Sequence, residues 1–224
     1  MENIDACVFD AYGTLFDVAA AAANCSDALG QNAAPLSALW RTKQLEYTWL
    51  RALMNEYVEF WQITGDALDY ALETLGLDGD DQLRQRLLNM YLELDSYGEV
   101  KDVLTRLKKG GMKCAILSNG SPKMLKSAVD NARLPDLLDD VISVDDIRTF
   151  KPHSSVYQMA VDNLGVPAER ICFMSSNAWD ASGAANFGFR VNWVNRFGQK
   201  SERLPGKPEN EIRTLSDLPP LFGL

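Results

Sequence analysis

The chain has 224 residues, 46% of them hydrophobic and 24% charged, with a formal net charge of −9. That length is enough to bury a large apolar interior, either as one domain or as a core carrying an insertion, while the negative balance argues against nucleic acid or anionic membrane as partners. No apolar run reaches the ~20 residues that cross a bilayer, and a site for an anionic ligand has to supply its own positive charge.

Ile4 to Phe9 is a short apolar run, the pattern of a strand buried on both faces of a parallel sheet. Asp10 comes next. In open α/β sheets ligands sit beyond the carboxyl ends of the strands, so this carboxylate is delivered to a crevice. Gly13 permits a sharp turn and Thr14 returns a small hydroxyl towards Asp10. Taken alone, Asp10 reads as a turn residue; three polar loops further along the chain decide otherwise.

Ala19 to Ala23 reads as a helix start, and from there to Tyr97 the pattern is helical with no strand. Pro35 and Ser37 open a helix over Leu36 to Met54. At about 100° per residue, Leu36, Leu39, Trp40, Tyr47, Leu50 and Met54 fall on one arc and predict a buried stripe. Leu45, Trp49 and Ala52 form a second apolar face nearly opposite, with Arg41 at its edge. Two apolar faces imply cover on both sides, one inside the helical region and one against the core, the substrate or a second subunit. Arg41 is a candidate anion clamp, although a single such arginine more often snorkels at a surface. Further helices are predicted over Glu56 to Leu75 and Asp81 to Tyr91, and Gly98 marks the return to the core.

Strands then alternate with helices. An amphipathic helix over Glu99 to Lys109 precedes a strand over Met112 to Leu117. Ser118-Asn119-Gly120-Ser121-Pro122 comes after it, with Ser121 as N-cap and Pro122 at the first helical position, so its amides and the Ser118 hydroxyl form a ready anion site. A third strand, Val141 to Val144, leads to Phe150-Lys151-Pro152, where Lys151 projects from a loop before a helix over Ser154 to Leu164 that carries Tyr157. The fourth strand, Ile171 to Met174, ends in Ser175-Ser176-Asn177-Ala178-Trp179-Asp180, followed by a small-residue helix over Ala181 to Asn186 that can approach the sheet closely. Arg190 to Val194 is a fifth strand, and the tail from Phe197 predicts only a short turn or helix near 215–221. Alternation of this kind implies right-handed crossovers and a parallel sheet. His153, the only histidine, is expected to cap a helix, which leaves a carboxylate or lysine as general base. Cys7, Cys114 and Cys172 lie in apolar runs and no C-x-x-C pair occurs, so buried thiols are expected. With Met1-Glu2-Asn3 lacking a basic leader, the expected location is the cytoplasm.

Asp10-Ala-Tyr-Gly-Thr14, Leu117-Ser118-Asn119-Gly120, Phe150-Lys151-Pro152 and Ser175-Ser176-Asn177-Ala178-Trp179-Asp180 resemble the four loop motifs of the haloacid dehalogenase superfamily. The similarity is to its (S)-2-haloacid dehalogenases. It runs from the first strand to about Arg196 and takes in Trp40-Arg41-Thr42-Lys43-Gln44-Leu45-Glu46-Tyr47. The resemblance implies a Rossmann-like doubly wound parallel α/β core over 1–17 and 98–224, with a helical cap over 18–97. Phosphatases of the superfamily carry a second Asp two residues after the nucleophile and an acidic pair in the fourth motif for magnesium; this chain has Tyr12 and Ser175-Ser176. A halide leaves without a proton, so both departures suit carbon–halogen displacement, with neither metal nor cofactor.

By that resemblance Asp10 is the nucleophile, attacking C2 of a 2-haloacid to form an ester that water then hydrolyses, with inversion at C2. Arg41 receives the halide with Asn119 and Trp179 beside it. Ser118, Asn119 and the amides of Ala11 and Tyr12 hold the substrate carboxylate, and Leu45, Phe60, Tyr12 and Trp179 wall the alkyl side. Lys151 offsets the charge of Asp10 and Asp180. Tyr157, Ser175 and Asn177 hold Lys151 and the hydrolytic water, and Asp180 activates that water. Thr14 stays beside Asp10, and a homodimer is implied. Two rival readings remain at this point, a magnesium-dependent phosphatase on the same fold and a non-catalytic binding protein; metal-dependent phosphate release or a failure to release halide would distinguish them.

Overall fold

The structure, a computed structural model, describes residues 1–18 and 29–224. The run Ala19 to Ala23, expected to start a helix, lies outside the described residues. The first strand, β1 (Ala6–Phe9), is wholly buried and sits inside a six-stranded sheet. The other strands are β2 (Lys113–Ser118), β3 (Asp140–Ser143), β4 (Ile171–Ser175), β5 (Arg190–Val194) and β6 (Asn210–Ile212), in the order β3-β2-β1-β4-β5-β6. Every ladder is parallel, as the alternation of strands and helices requires. The chain builds outward from β1 to β3 and then returns to the other side of β1 with β4. That reversal makes a switch-point crevice between the ends of β1 and β4, and Asp10 stands in it.

Register fixes which residues meet there. Phe9 pairs with Ile116 on β2 and with Met174 on β4, so Asp10, Ser118 and Ser175 emerge at one edge of the sheet. The same register aligns Cys114, Cys7 and Cys172 across three strands, all fully buried and free. Burial pushes the Cys7 thiol well up and the Cys114 thiol up to about 12, which keeps both protonated and unreactive.

Among the described residues three helices come after β1 and before the next strand's own helix: α1 (Ala33–Met54), α2 (Phe60–Leu75) and α3 (Asp81–Asn89). The two segments that join them to the sheet run side by side, Asp17 N–H donating to the Asp95 carbonyl and Tyr97 N–H to the Leu15 carbonyl, both at 2.9 Å. The buried stripe expected on α1 is corrected in its second half. Leu36 and Trp40 are buried as predicted, but the row continues through Gln44 and Thr48, while Leu50 and Met54 are exposed. The reason is spacing: 36, 40, 44 and 48 form one i,i+4 row, and α2 packs against it with Thr64 as a polar partner.

Beyond the helical segment come α4 (Val100–Lys109), α5 (Pro122–Asn131), α6 (Ser154–Leu164) and α7 (Ala178–Phe187). Pro122 occupies the first position of α5 as predicted, yet the Ser121 hydroxyl makes no capping bond and is buried without a partner among the described residues. His153 caps α6, its Nδ1 accepting from Ser155 N–H at 3.3 Å. The predicted helix over Ala181 to Asn186 begins earlier, at Ala178, so Trp179 and Asp180 lie in its first turn. A Cβ on Gly183 of this helix would stand 2.6 Å from the Tyr157 hydroxyl, which is the close approach its small residues allow. The tail adds β6 and two short 3₁₀ turns at Leu215–Asp217 and Pro219–Phe222; the strand was not predicted.

Candidate active site

Asp10 is the hub. Its Oδ1 accepts from Lys151 Nζ at 3.0 Å, and its Oδ2 from Asn177 Nδ2 at 2.9 Å and Thr14 Oγ1 at 3.2 Å. Thr14 is held in turn by Ser176 N–H, which donates to its hydroxyl oxygen at 2.8 Å. This brackets the carboxylate from β1, β4 and the loop before α6, so its rotamer is set by three independent elements.

Lys151 is 1% exposed and spans two carboxylates, reaching Asp180 Oδ2 at 2.9 Å as well. Burial acts to lower its pKa, but Asp10 and Asp180 outweigh that and hold the ammonium above its ordinary value. Asp180 is fully buried; burial, with Asp10 nearby, raises its pKa although Lys151 and the Tyr157 hydroxyl work the other way. A carboxylate raised in this way is a better proton acceptor than an exposed one. Two negative charges around one positive leave the cluster net negative.

The supporting residues differ from expectation in what they touch. Tyr157 donates to Asp180 Oδ1 at 2.9 Å rather than to Lys151. Burial and Asp180 drive its own pKa far upward, so it stays a donor. Ser175 accepts from Asn177 N–H at 3.1 Å and therefore orients Asn177, again not Lys151. Of the three residues assigned to Lys151, only Asn177 hydrogen-bonds to Asp10. Asn119 Oδ1 accepts from the Lys151 backbone N–H at 3.0 Å, and Ser118 Oγ from Gly120 N–H at 3.1 Å. The first bond ties the second and third motifs together and leaves the Asn119 Nδ2 donors for a ligand, while the second stays within the second motif.

From α1 the guanidinium of Arg41 reaches across to the sheet edge, Nη2 donating to Asn177 Oδ1 at 3.0 Å and Nη1 to Gln44 Oε1 at 2.7 Å. A small cavity is lined by Asp10, Tyr12, Arg41, Leu45, Phe60, Ser118, Asn119, Lys151, Asn177 and Trp179. Each of these was named from the sequence. Thr14, Tyr157, Ser175 and Asp180 are not among the lining residues. The Tyr12 hydroxyl and the Trp179 indole N–H are buried with no partner among the described residues, so the cavity wall contains donors that are left for whatever fills it. Tyr12 packs between Phe60 and Tyr91 at ring distances of 6.2 and 6.0 Å and closes over Gly120, where a Cβ would meet its ring at 2.7 Å. The amides of Ala11 and Tyr12 make no hydrogen bond to described residues.

Sequence reasoning missed Gln44 and Thr64, which anchor Arg41 from inside the helical segment, and Arg196. Arg196 pairs with Glu99 at 2.7 Å, donates to the Thr14 carbonyl at 2.9 Å and lies 3.7 Å from the Tyr97 ring centre. The signal for Gln44 was present in its i,i+3 spacing from Arg41. Arg196 carried none, being a lone arginine after the fifth strand. Among the described residues no group of three or more His, Cys, Asp or Glu is arranged to hold a metal ion.

The sequence profile of the haloacid dehalogenase-like hydrolases matches residues 4–188. Over 218 residues the chain is 46% identical to an (S)-2-haloacid dehalogenase of Pseudomonas fluorescens, covering 97% of this chain and 96% of that one. It is also 46% identical over 222 residues to an (S)-2-haloacid dehalogenase of Pseudomonas sp. strain YL, with 99% and 96% covered. Among solved structures it superposes, with a TM-score of 0.91, 40% identity and 98% of each chain covered, on the L-2-haloacid dehalogenase of Xanthobacter autotrophicus with chloropropionic acid covalently bound.

Proposed function

The chain belongs to the haloacid dehalogenase-like hydrolases, in the branch of the (S)-2-haloacid dehalogenases, and on that premise we propose that it hydrolyses short (S)-2-haloalkanoic acids to (R)-2-hydroxy acids through an ester on Asp10. The observation that carries this reading is the bridge Asp10–Asn177–Arg41, with bonds of 2.9 and 3.0 Å, which sets a cation and a desolvated carboxylate against one cavity.

An Asp10 oxygen attacks C2 in line, the carbon–halogen bond breaks with its electron pair going to the halide, and C2 inverts. Arg41, Asn119 and the Trp179 indole N–H receive the halide. Ser118, Asn119 and the amides of Ala11 and Tyr12 hold the substrate carboxylate, and Leu45, Phe60 and Tyr12 limit its alkyl group. Water then attacks the Asp10 carbonyl carbon as Asp180 takes its proton. The tetrahedral intermediate collapses, the C2–oxygen bond stays intact, and the 2-hydroxy acid departs as its alkoxide is reprotonated. The product hydroxyl oxygen is thus an original Asp10 oxygen, and the new Asp10 oxygen comes from water.

No acid is needed for halide, which is consistent with Tyr12 where superfamily phosphatases carry an aspartate. Metal independence is supported by the donor set: Asp10 and Asp180, the two carboxylates a divalent ion would bridge, already share the Lys151 ammonium. Residues 18–97 serve as the cap that brings Arg41. A homodimer is supported by the exposed Leu50, Leu53 and Met54 at the end of α1, and sedimentation of the protein tests it. The free thiols suit a reducing cytoplasm. The functional test is halide release from (S)-2-chloropropionate without added metal, with (R)-lactate as product. Release only with magnesium, or a product of unchanged handedness, would overturn the reading.

A further inference from the structure

Among the described residues, amide oxygens alone hold Arg41. Its bonds go to Gln44 Oε1 and Asn177 Oδ1, and it forms no ion pair among the described residues. Gln44 is fully buried at the centre of α1, where both ends of its amide need partners. Its Nε2 donates to Thr64 Oγ1 at 2.8 Å, and the Thr64 hydroxyl donates to the Phe60 carbonyl at 2.7 Å. The Thr64 carbonyl accepts from the Trp40 indole at 2.8 Å. This chain fixes the sense of the amide: with its proton committed to Phe60, Thr64 can only accept, so Gln44 turns nitrogen to Thr64 and oxygen to Arg41.

We propose that Gln44 is the positioning residue that aims Arg41 at the departing halide, and that its neutrality leaves the guanidinium charge free for that ion. The inference rests on the halide-receiving role of Arg41 in the proposed reaction. A glutamate at this position would hold the guanidinium at least as firmly, because charge-assisted bonds are the stronger ones. It would also cancel, in a buried site, the charge that the halide meets. The site therefore needs an acceptor that orients without neutralising, which a buried glutamine tied at its far end provides.

The test uses Gln44→Glu and Gln44→Met in the full-length protein, with single-turnover formation of the Asp10 ester from (S)-2-iodo-, bromo- and chloropropionate, bromide inhibition, and thermal unfolding. From the worth of a hydrogen bond to a charged group, both variants are expected to slow chloride expulsion roughly 10- to 100-fold and iodide expulsion several-fold less. Gln44→Glu has the larger effect and raises the bromide inhibition constant about tenfold or more. Hydrolysis of the formed ester stays within about threefold of the parent, because that step has no departing halide. Equal losses across the three halides with unchanged bromide inhibition would overturn the inference. If neither variant folds, Thr64→Val, which removes only the far anchor, carries the same readouts. Arg41→Ala run alongside separates the claims: a halide-dependent loss there with flat Gln44 variants overturns this inference alone, whereas a flat series in both overturns the role of Arg41 beneath it.

Discussion

The site holds two cations, one at the sheet edge and one on the face of α1, and the protein surrounds them in opposite ways. Lys151 is almost fully buried between two carboxylates at 3.0 and 2.9 Å, so its charge is already neutralised. Arg41 is held by neutral amides at 2.7 and 3.0 Å, so its charge remains available. Arg41 is half-buried, and a partly desolvated charge without a counterion is costly, which fits a position where the proposed reaction delivers an anion. In the proposed reaction the contrast divides the work: the sheet edge holds and aims the carboxylate, and the helix receives what that carboxylate expels.

Substitutions can break this comparison at either end. Asp10→Asn removes the nucleophile and should lower halide release by at least about 10⁴-fold with little loss of stability, read by ion chromatography against an unchanged unfolding transition. Lys151→Met leaves Asp10 and Asp180 buried without their shared counterion. It should lower stability by about 3–5 kcal/mol in denaturant titration, in addition to losing activity. Arg41→Ala removes a cation that pairs with no carboxylate among the described residues, so its fold should survive while turnover drops roughly 10²- to 10³-fold, most with chloride as leaving group. If Arg41→Ala instead destabilised the protein as much as Lys151→Met, the contrast between the two cations would collapse.

Tyr157→Phe gives a smaller and more specific effect. The tyrosine hydroxyl lowers the pKa of Asp180 against the upward push of burial and Asp10, so removing it raises that pKa further. Asp180 has to be ionised to accept a proton from water, and activity falls as pH drops through its pKa. The acidic limb of the ester-hydrolysis rate should therefore move to higher pH in Tyr157→Phe, while the limb for ester formation moves less. An unmoved acidic limb would take Asp180 out of the second step.

The sheet edge was far more legible than the helix face. β1, β2, β4 and β5 are apolar runs each ended by polar or small residues, and their parallel register brings Asp10, Ser118 and Ser175 together with no further information. On α1 the hydrophobic pattern pointed to Leu50 and Met54, which are exposed, because the buried row is completed by Gln44 and Thr48. Apolar periodicity cannot see a polar residue that is buried because its partners lie on another helix. Strand β6 escaped for a related reason: Asn210–Ile212 is short and mostly polar, and its pairing is reinforced by Asn210 Nδ2 donating to Asn192 Oδ1 at 2.9 Å. The reach of Tyr157 to Asp180 rather than Lys151 also lay outside sequence reasoning, since it depends on Gly183 letting α6 and α7 close to contact.

The most direct test of the central claim traces the oxygen of water through a single turnover. With enzyme in excess over (S)-2-chloropropionate in labelled water, mass spectrometry of the peptide containing Asp10 should find the label in that carboxyl group, and the lactate released in the first turnover should be unlabelled. Label appearing directly in the first-turnover lactate, with none in Asp10, would mean that water attacks C2 and that no ester forms.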